Sequence, residues 1–454
     1  MDGFQHLMLR IASDRMRGLA LCLVFGICVF GGVDLALAQA PPLNPPEERP
    51  LVSGPYSIGQ WFLTPTLDLS TLYNSNIQSS TTNKLAGPAF HYHPALQGEF
   101  DTGIYDTRVY GSYDSTIYPT HSTLNTSNPQ AGAIETYAPL RDLIFTAQLD
   151  YTHSTNAAVI VSSIPTPITS PANPAPQGAA GLVTIQQTTV NPNDNYTATA
   201  SVYKEFNRAF LKLGSSIALT QYEIGSSGSS PNYYKENYNG TAGFWFTPFL
   251  YAFADAVDVN TIPAVGLVSN SYLARGGVGS DQIGLFQGSI YYGNQGTAVD
   301  QGGGTASGNV YGGAISYFPT PPWTMSVSVD RIRNRSDITG STPGAGGLPG
   351  LAGISINLGS TTTASSTQIT SIGYRSSYTF SEQTSAFVVV SDSRISLLGT
   401  PRVDNSWAAS AGISYKLSEN LSLSANYSYT RYISEQPLTS FNQSVISLGA
   451  HYNF

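Results

Sequence analysis

The sequence predicts an all-β protein: a transmembrane antiparallel up-and-down β-barrel of about 18 strands (about 16–18), with short periplasmic turns and long extracellular loops. Three observations carry that reading. Over residues 61–454 the chain repeats runs of about ten residues in which apolar and small polar side chains alternate. Charged residues make up 11 % of the sequence, against roughly a quarter in soluble globular proteins, while Tyr (28) and Gly (44) are abundant. Outside the N-terminal leader, no stretch of about eighteen apolar residues offers a helical span.

The leader comes first in the chain. Arg10, Arg15 and Arg17 supply a positive start, residues 18–33 are apolar, and Ala36-Leu37-Ala38 is the small-x-small pattern that a signal peptidase accepts. Residues 1–38 are therefore expected to be a signal peptide, cut before Gln39. The rival reading, a retained anchor, has an apolar run on the short side for about 30 Å of hydrocarbon. Cys22 and Cys28 both lie in this run, so the exported product has no cysteine. Without disulfides it must rely on a large core or on a closed hydrogen-bonded wall. Residues 39–60 form a Pro-rich periplasmic segment, with six prolines in 41–55 that favour an extended tail.

The barrel follows, over residues 61–454. A strand with lipid on one face and water on the other must alternate, because successive side chains point to opposite faces. In order, strands are expected at 61–73, 90–101, 104–114, 131–139, 142–153, 195–204, 209–222, 236–246, 249–260, 269–279, 283–293, 308–318, 323–334, 366–378, 384–394, 405–417, 421–432 and 442–454. The last of these shows the pattern best: Ile446, Leu448, Ala450, Tyr452 and Phe454 share one face, and Ser447, Gly449, His451 and Asn453 the other. Short connections read as Asp101-Thr102-Gly103, Pro139-Leu140-Arg141-Asp142, Glu205-Phe206-Asn207-Arg208, Thr247-Pro248, Ser280-Asp281-Gln282, Pro319-Thr320-Pro321-Pro322, Ser381-Glu382-Gln383 and Ser418-Glu419-Asn420. Long Gly/Ser/Thr/Pro-rich loops alternate with them, the longest near 154–194 and 336–366. An even strand number puts both chain ends in the periplasm, and about 16–18 strands enclose an aqueous channel.

The terminal Tyr452-Asn453-Phe454 resembles the signal read by the barrel-assembly machinery, with Tyr452 and Phe454 as its aromatic residues. The barrel as a whole resembles the β-barrel porin 2 family of bacterial outer membranes. The likeness rests on Phe62-Leu63-Thr64-Pro65-Thr66-Leu67 leading to Tyr73-Asn74, on Leu140-Arg141-Asp142-Leu143, and on Tyr317-Phe318-Pro319-Thr320-Pro321-Pro322-Trp323-Thr324-Met325 ending at Asp330-Arg331. That resemblance implies an outer-membrane channel, with some relatives associated with exopolysaccharide production and export, and hence a polysaccharide-export machinery as partner.

Charges opposite a strand's apolar face should line the lumen: Asp68, Glu99, Asp101, Asp106, Arg108, Asp150, Lys212, Arg275 and Arg375. Such groups set ion preference in pores, or brace the wall by pairing across strands. Arg331, Arg333 and Arg335 share a parity at a loop end, where they could meet lipopolysaccharide phosphates, an anionic polymer or solvent. Trp61, Tyr73, Trp323 and Tyr432 fit interfacial girdles. His91 and His93 share a face but have no third ligand in view, so no metal is expected. No Gly-x-Ser-x-Gly, phosphate-binding loop or Cys/His cluster is present, so neither an enzyme nor a cofactor is expected. The net charge of −8 argues against a nucleic-acid partner.

The expected function is a passive channel in the bacterial outer membrane. Its preferred role, export of an extracellular polysaccharide, rests on the resemblance alone. The alternatives are a general or substrate-selective diffusion porin for small solutes, a plugged surface-binding barrel and, least favoured, a barrel enzyme. The expected partners are outer-membrane lipid and lipopolysaccharide and the barrel-assembly machinery. No pattern in the sequence marks an oligomer interface.

Overall fold

A computed structural model describes residues 56–155, 192–222, 232–264, 268–299, 305–335, 366–397, 401–435 and 439–454. The leader, residues 39–55 and most of the loops near 154–194 and 336–366 lie outside the described residues. A three-residue strand comes first, β1 (Tyr56–Ile58), followed by β2 (Trp61–Asn74), β3 (Gly87–Asp101), β4 (Tyr105–Ile117), β5 (Thr126–Leu140) and β6 (Leu143–Ser154). Next are β7 (Asn193–Phe206), β8 (Ala209–Tyr222), β9 (Tyr233–Trp245), β10 (Leu250–Pro263), β11 (Ser269–Ile283), β12 (Phe286–Val299) and β13 (Thr305–Thr320). The last are β14 (Trp323–Arg335), β15 (Ser366–Thr379), β16 (Thr384–Leu397), β17 (Val403–Lys416), β18 (Leu421–Ile433) and β19 (Phe441–Asn453).

Each strand from β2 to β18 pairs antiparallel with the next, and β19 returns to β2 from Val445↔Asn74 to Asn453↔Thr66. The result is a closed antiparallel barrel of eighteen strands, β2 to β19. Among the described residues closure pairs neighbouring strands along most of their length, which is how a wall in hydrocarbon satisfies its backbone N–H and C=O groups. Each of the eighteen predicted spans falls on its own strand, most extended by a few residues, except that residue 283, expected to open a strand, closes β11 and β12 begins at Phe286. β5 starts earliest relative to expectation, at Thr126, because Pro129 and its polar neighbours hide the alternation; Pro129 lies opposite Tyr113.

Two features of the strand layout differ from the sequence reading. β1, inside the 39–60 segment, forms a hairpin with β2 through Tyr56↔Leu63 and Ile58↔Trp61. It occupies the β2 edge that β19 leaves free, since β19 ends where the Phe454 amide donates to Pro65 O at 3.2 Å. The turn expected at Ser280-Asp281-Gln282 is displaced to Gly284-Leu285. β11 continues to Ile283, paired with Phe286, after a register shift beyond Ser280. Gly284 sits at φ +64, a left-handed conformation that glycine adopts without penalty. Similar shifts tighten the turns at Leu140↔Leu143 and Thr320↔Trp323.

Register fixes which side chains face out. Leu149, Ile290, Ile315, Ile372, Ile413 and Leu448 belong to one side, and Leu149 and Leu448 are 61 % and 59 % exposed. A wall that leaves such residues uncovered on this scale is built for an apolar surrounding. At the short-turn end this outer face carries aromatic pairs: Tyr105–Tyr137 at 4.7 Å, Phe286–Tyr317 at 4.8 Å, Trp323–Tyr378 at 6.2 Å and Trp61–Phe100 at 5.6 Å. Tyr73 is exposed on the outer face near the long-loop end. Tyr432 is not part of a girdle. Its parity on β18 matches Thr430, so it turns inward, is buried, and donates its hydroxyl to Asp404 at 2.7 Å.

At the long-loop end, residues 75–86 are tied across the closing seam. Asn76 Nδ2 donates to Asn442 O at 3.0 Å and Gln443 Nε2 donates to Asn76 O at 2.9 Å. Ile77 then packs with Ala89 and Tyr118, against Leu72 and Leu124, so this loop covers part of the inner wall.

Candidate functional site on the inner wall

The ladders put all nine sequence-selected charges on the inward parity: Asp68 on β2, Glu99 and Asp101 on β3, Asp106 and Arg108 on β4, Asp150 on β6, Lys212 on β8, Arg275 on β11 and Arg375 on β15. Near the short-turn end Arg108 Nη2 lies 3.1 Å from Glu99 and 2.8 Å from Asp106, and Asp101 faces Asp106 across the ladder. Asp150 accepts from the Tyr110 hydroxyl and from Gln148 Nε2, the latter at 3.1 Å.

Asp68 is shared by two imidazoles. His451 Nδ1 is 2.5 Å from one oxygen and His93 Nδ1 is 3.4 Å from the other. His91, two residues before His93, lies 2.7 Å from Asp114 instead. Among the described residues no group of three or more His, Cys, Asp or Glu could hold a metal ion.

On another arc of the wall Arg275 Nε donates to Asp255 at 2.9 Å, and its guanidinium lies 4.6 Å from the centre of the Tyr291 ring. Asp255 also accepts from Thr241 Oγ1 at 3.0 Å, and the Tyr291 hydroxyl donates to Asp330. This pair is enclosed, with side chains 9 % and 5 % exposed. Lys212 sits between Tyr203 and Thr241, and Arg375 between Ser326 and Val389; neither forms an ion pair with a described residue. Toward the short-turn end the inner wall of β8 to β10 adds an aromatic group. Trp245 and Tyr251 are 4.6 Å apart, Phe210 is 6.4 Å from Trp245, and Phe253 and Tyr291 complete the cluster.

The charges are unevenly spread around the ring. Carboxylates and imidazoles dominate β2 to β6 and β19, with Arg108 among them, whereas β8 to β15 carry Lys212, Lys235, Arg275 and Arg375 together with the carboxylates Asp255 and Asp330.

Asp114, Lys235, Asp255 and Asp330 also face inward and were not singled out from the sequence. Asp255 was legible there, because it alternates with Ala254 and Ala256 just as Lys212 alternates with Leu211 and Leu213. At the loop end of β14, Arg331 lies over the Tyr311 ring, and the side chain of Arg335 lies outside the described residues.

Residues 262–454 match the family described as outer membrane protein beta-barrel domain. Among solved structures the chain is similar to the outer membrane protein OpdK of Pseudomonas aeruginosa, at 10 % identity and a TM-score of 0.46, covering 86 % of this chain and 99 % of that one. It is similar to a BenF-like porin from Pseudomonas fluorescens with the same identity, TM-score and coverage. OccK3 (OpdO) of Pseudomonas aeruginosa gives 11 % identity and a TM-score of 0.45 over 86 % of this chain and 95 % of that one. No curated protein matches the chain. The residues matched by that family supply β11 to β19 of the closed ring.

Proposed function

We propose that the chain is a bacterial outer-membrane channel through which solutes move passively along the barrel axis. The observation that carries this reading is the two-sided wall: a closed ring of eighteen strands, apolar outside, with charges and hydroxyls inside. Rings of about this size leave an aqueous interior, and only side chains or inward-folded loops narrow it. In this reading the short turns are periplasmic, the long loops extracellular, and lipid with lipopolysaccharide surrounds the aromatic-edged outer face.

Inward carboxylates outnumber inward cations, so the channel is expected to prefer cations. The test is a planar bilayer with the refolded protein under a salt gradient. A stable conductance whose reversal potential lies toward the cation equilibrium supports the proposal. A silent bilayer from verified folded protein overturns it in favour of a plugged surface-binding barrel.

A second reading is passage of an extracellular polysaccharide. Beyond the family resemblance, the inward cluster of Phe210, Trp245 and Tyr251 favours it, since aromatic faces suit sugar rings. Reversible current blockade by neutral oligosaccharides, lost in Trp245→Ala, is its expected signature. No blockade at any sugar concentration would remove it.

A further inference from the structure

The ladder between β13 and β14 stops before the long-loop end. Pairs run from Tyr317↔Met325 to Tyr311↔Arg331. Past that point residues 305–310 remain bonded to β12, residues 332–335 remain bonded to β15, and the two strands part. A side chain bridges the split: Gln295, one strand further along on β12, accepts from the Arg333 amide at 2.9 Å. The Arg333 guanidinium lies against Gly308, so closely that a Cβ there would collide with it. Gly308 shares the inward parity of Val310 and Gly312, so the tip of β14 lies inside β13, and Val310 is only 1 % exposed.

Two cations therefore stand at an interruption in the wall. Arg331 covers the Tyr311 ring at 5.4 Å and donates Nη2 to Gln368 at 2.6 Å. Its Nε, together with Nε and Nη1 of Arg333, is closed off from solvent and has no hydrogen-bond partner among the described residues. Asp330, the adjacent carboxylate, points the other way, to Tyr291. Buried N–H groups of charged side chains left unpaired are costly, and oxygen anions satisfy them best. Next to the split the outer wall is apolar, with Tyr311, Val329 and Ile372 exposed. An anion arriving along that wall needs an alkyl chain.

We propose that the split between β13 and β14 binds the head group of an anionic amphiphile from the surrounding membrane, its carboxylate or phosphate on Arg331 and Arg333 and its chain along Tyr311, Val329 and Ile372. The site rests on the membrane placement proposed above, but not on conduction through the barrel.

The test measures binding of radiolabelled hexadecanoate, of lipid A and of uncharged hexadecanol to the refolded full chain in detergent micelles. Hexadecanoate or lipid A should bind saturably, and the one that binds more tightly names the source of the head group. The double variant Arg331→Gln/Arg333→Gln should lose roughly tenfold or more in affinity for that anion and leave hexadecanol unaffected. Gly308→Ala, which keeps both charges but displaces the Arg333 guanidinium, should weaken the same anion, and it serves if the double variant does not refold. Absence of saturable anion binding, unchanged affinity in both variants, or equal loss for hexadecanol would overturn the proposal. Conductance of the same preparation reports separately on the channel.

Discussion

Arg275 and Asp255 show how a charge pair can brace a wall and line it at once. Both side chains are enclosed, so removing one partner strands the other in a low-dielectric setting. Asp255→Asn is expected to destabilise the barrel by about 3–5 kcal/mol, read from urea unfolding followed by tryptophan fluorescence. Arg108 contrasts with this pair, because its side chain is 45 % exposed between Glu99 and Asp106. Arg108→Gln should cost no more than about 1 kcal/mol in the same assay, yet move the reversal potential further toward the cation equilibrium by freeing both carboxylates. The inward direction of these charges was readable from alternation. Their partners were not: His451 and Asp68 are 383 positions apart and meet only because the ring closes. Which carboxylate takes which cation depends on register between strands, and a one-dimensional pattern does not contain it.

At the scale of the element, period-two alternation was enough to place every strand of the ring, because lipid outside and polar groups inside impose opposite chemistries on neighbouring residues. Boundaries were harder where that contrast fades. β5 opens through Asn128 and Pro129, and β11 passes through Ser280-Asp281-Gln282 on a register shift that a turn-like composition conceals. Gly284 is where the chain reverses. A Cβ there meets no described atom within 4 Å, so the penalty comes chiefly from the backbone. Gly284→Val should cost about 1–2 kcal/mol, seen as a lower unfolding midpoint with unchanged single-channel conductance. A changed conductance would mean that this turn shapes the pore entrance.

For the whole molecule, closure depends on the last strand. Phe454 is 43 % exposed and packs edge-on against Tyr452 at 4.7 Å, a modest contribution to the finished wall. If Tyr452 and Phe454 act as the assembly signal, Phe454→Ala should lower the amount of folded barrel in cell membranes several-fold. The same variant refolded in detergent should keep its heat-modifiable mobility and its conductance. Equal losses in cells and in detergent would make the residue a packing element only. The meeting of β1 and β19 on one edge of β2 has a further consequence. A linker from Phe454 to Tyr56 would bridge two ends that already share a row of carbonyls, and new ends could be cut at Ser418-Glu419-Asn420. Such a circular permutant would keep every neighbour relation in the ring while changing which strand leaves the ribosome first, so the order of synthesis could be varied with the finished architecture held constant.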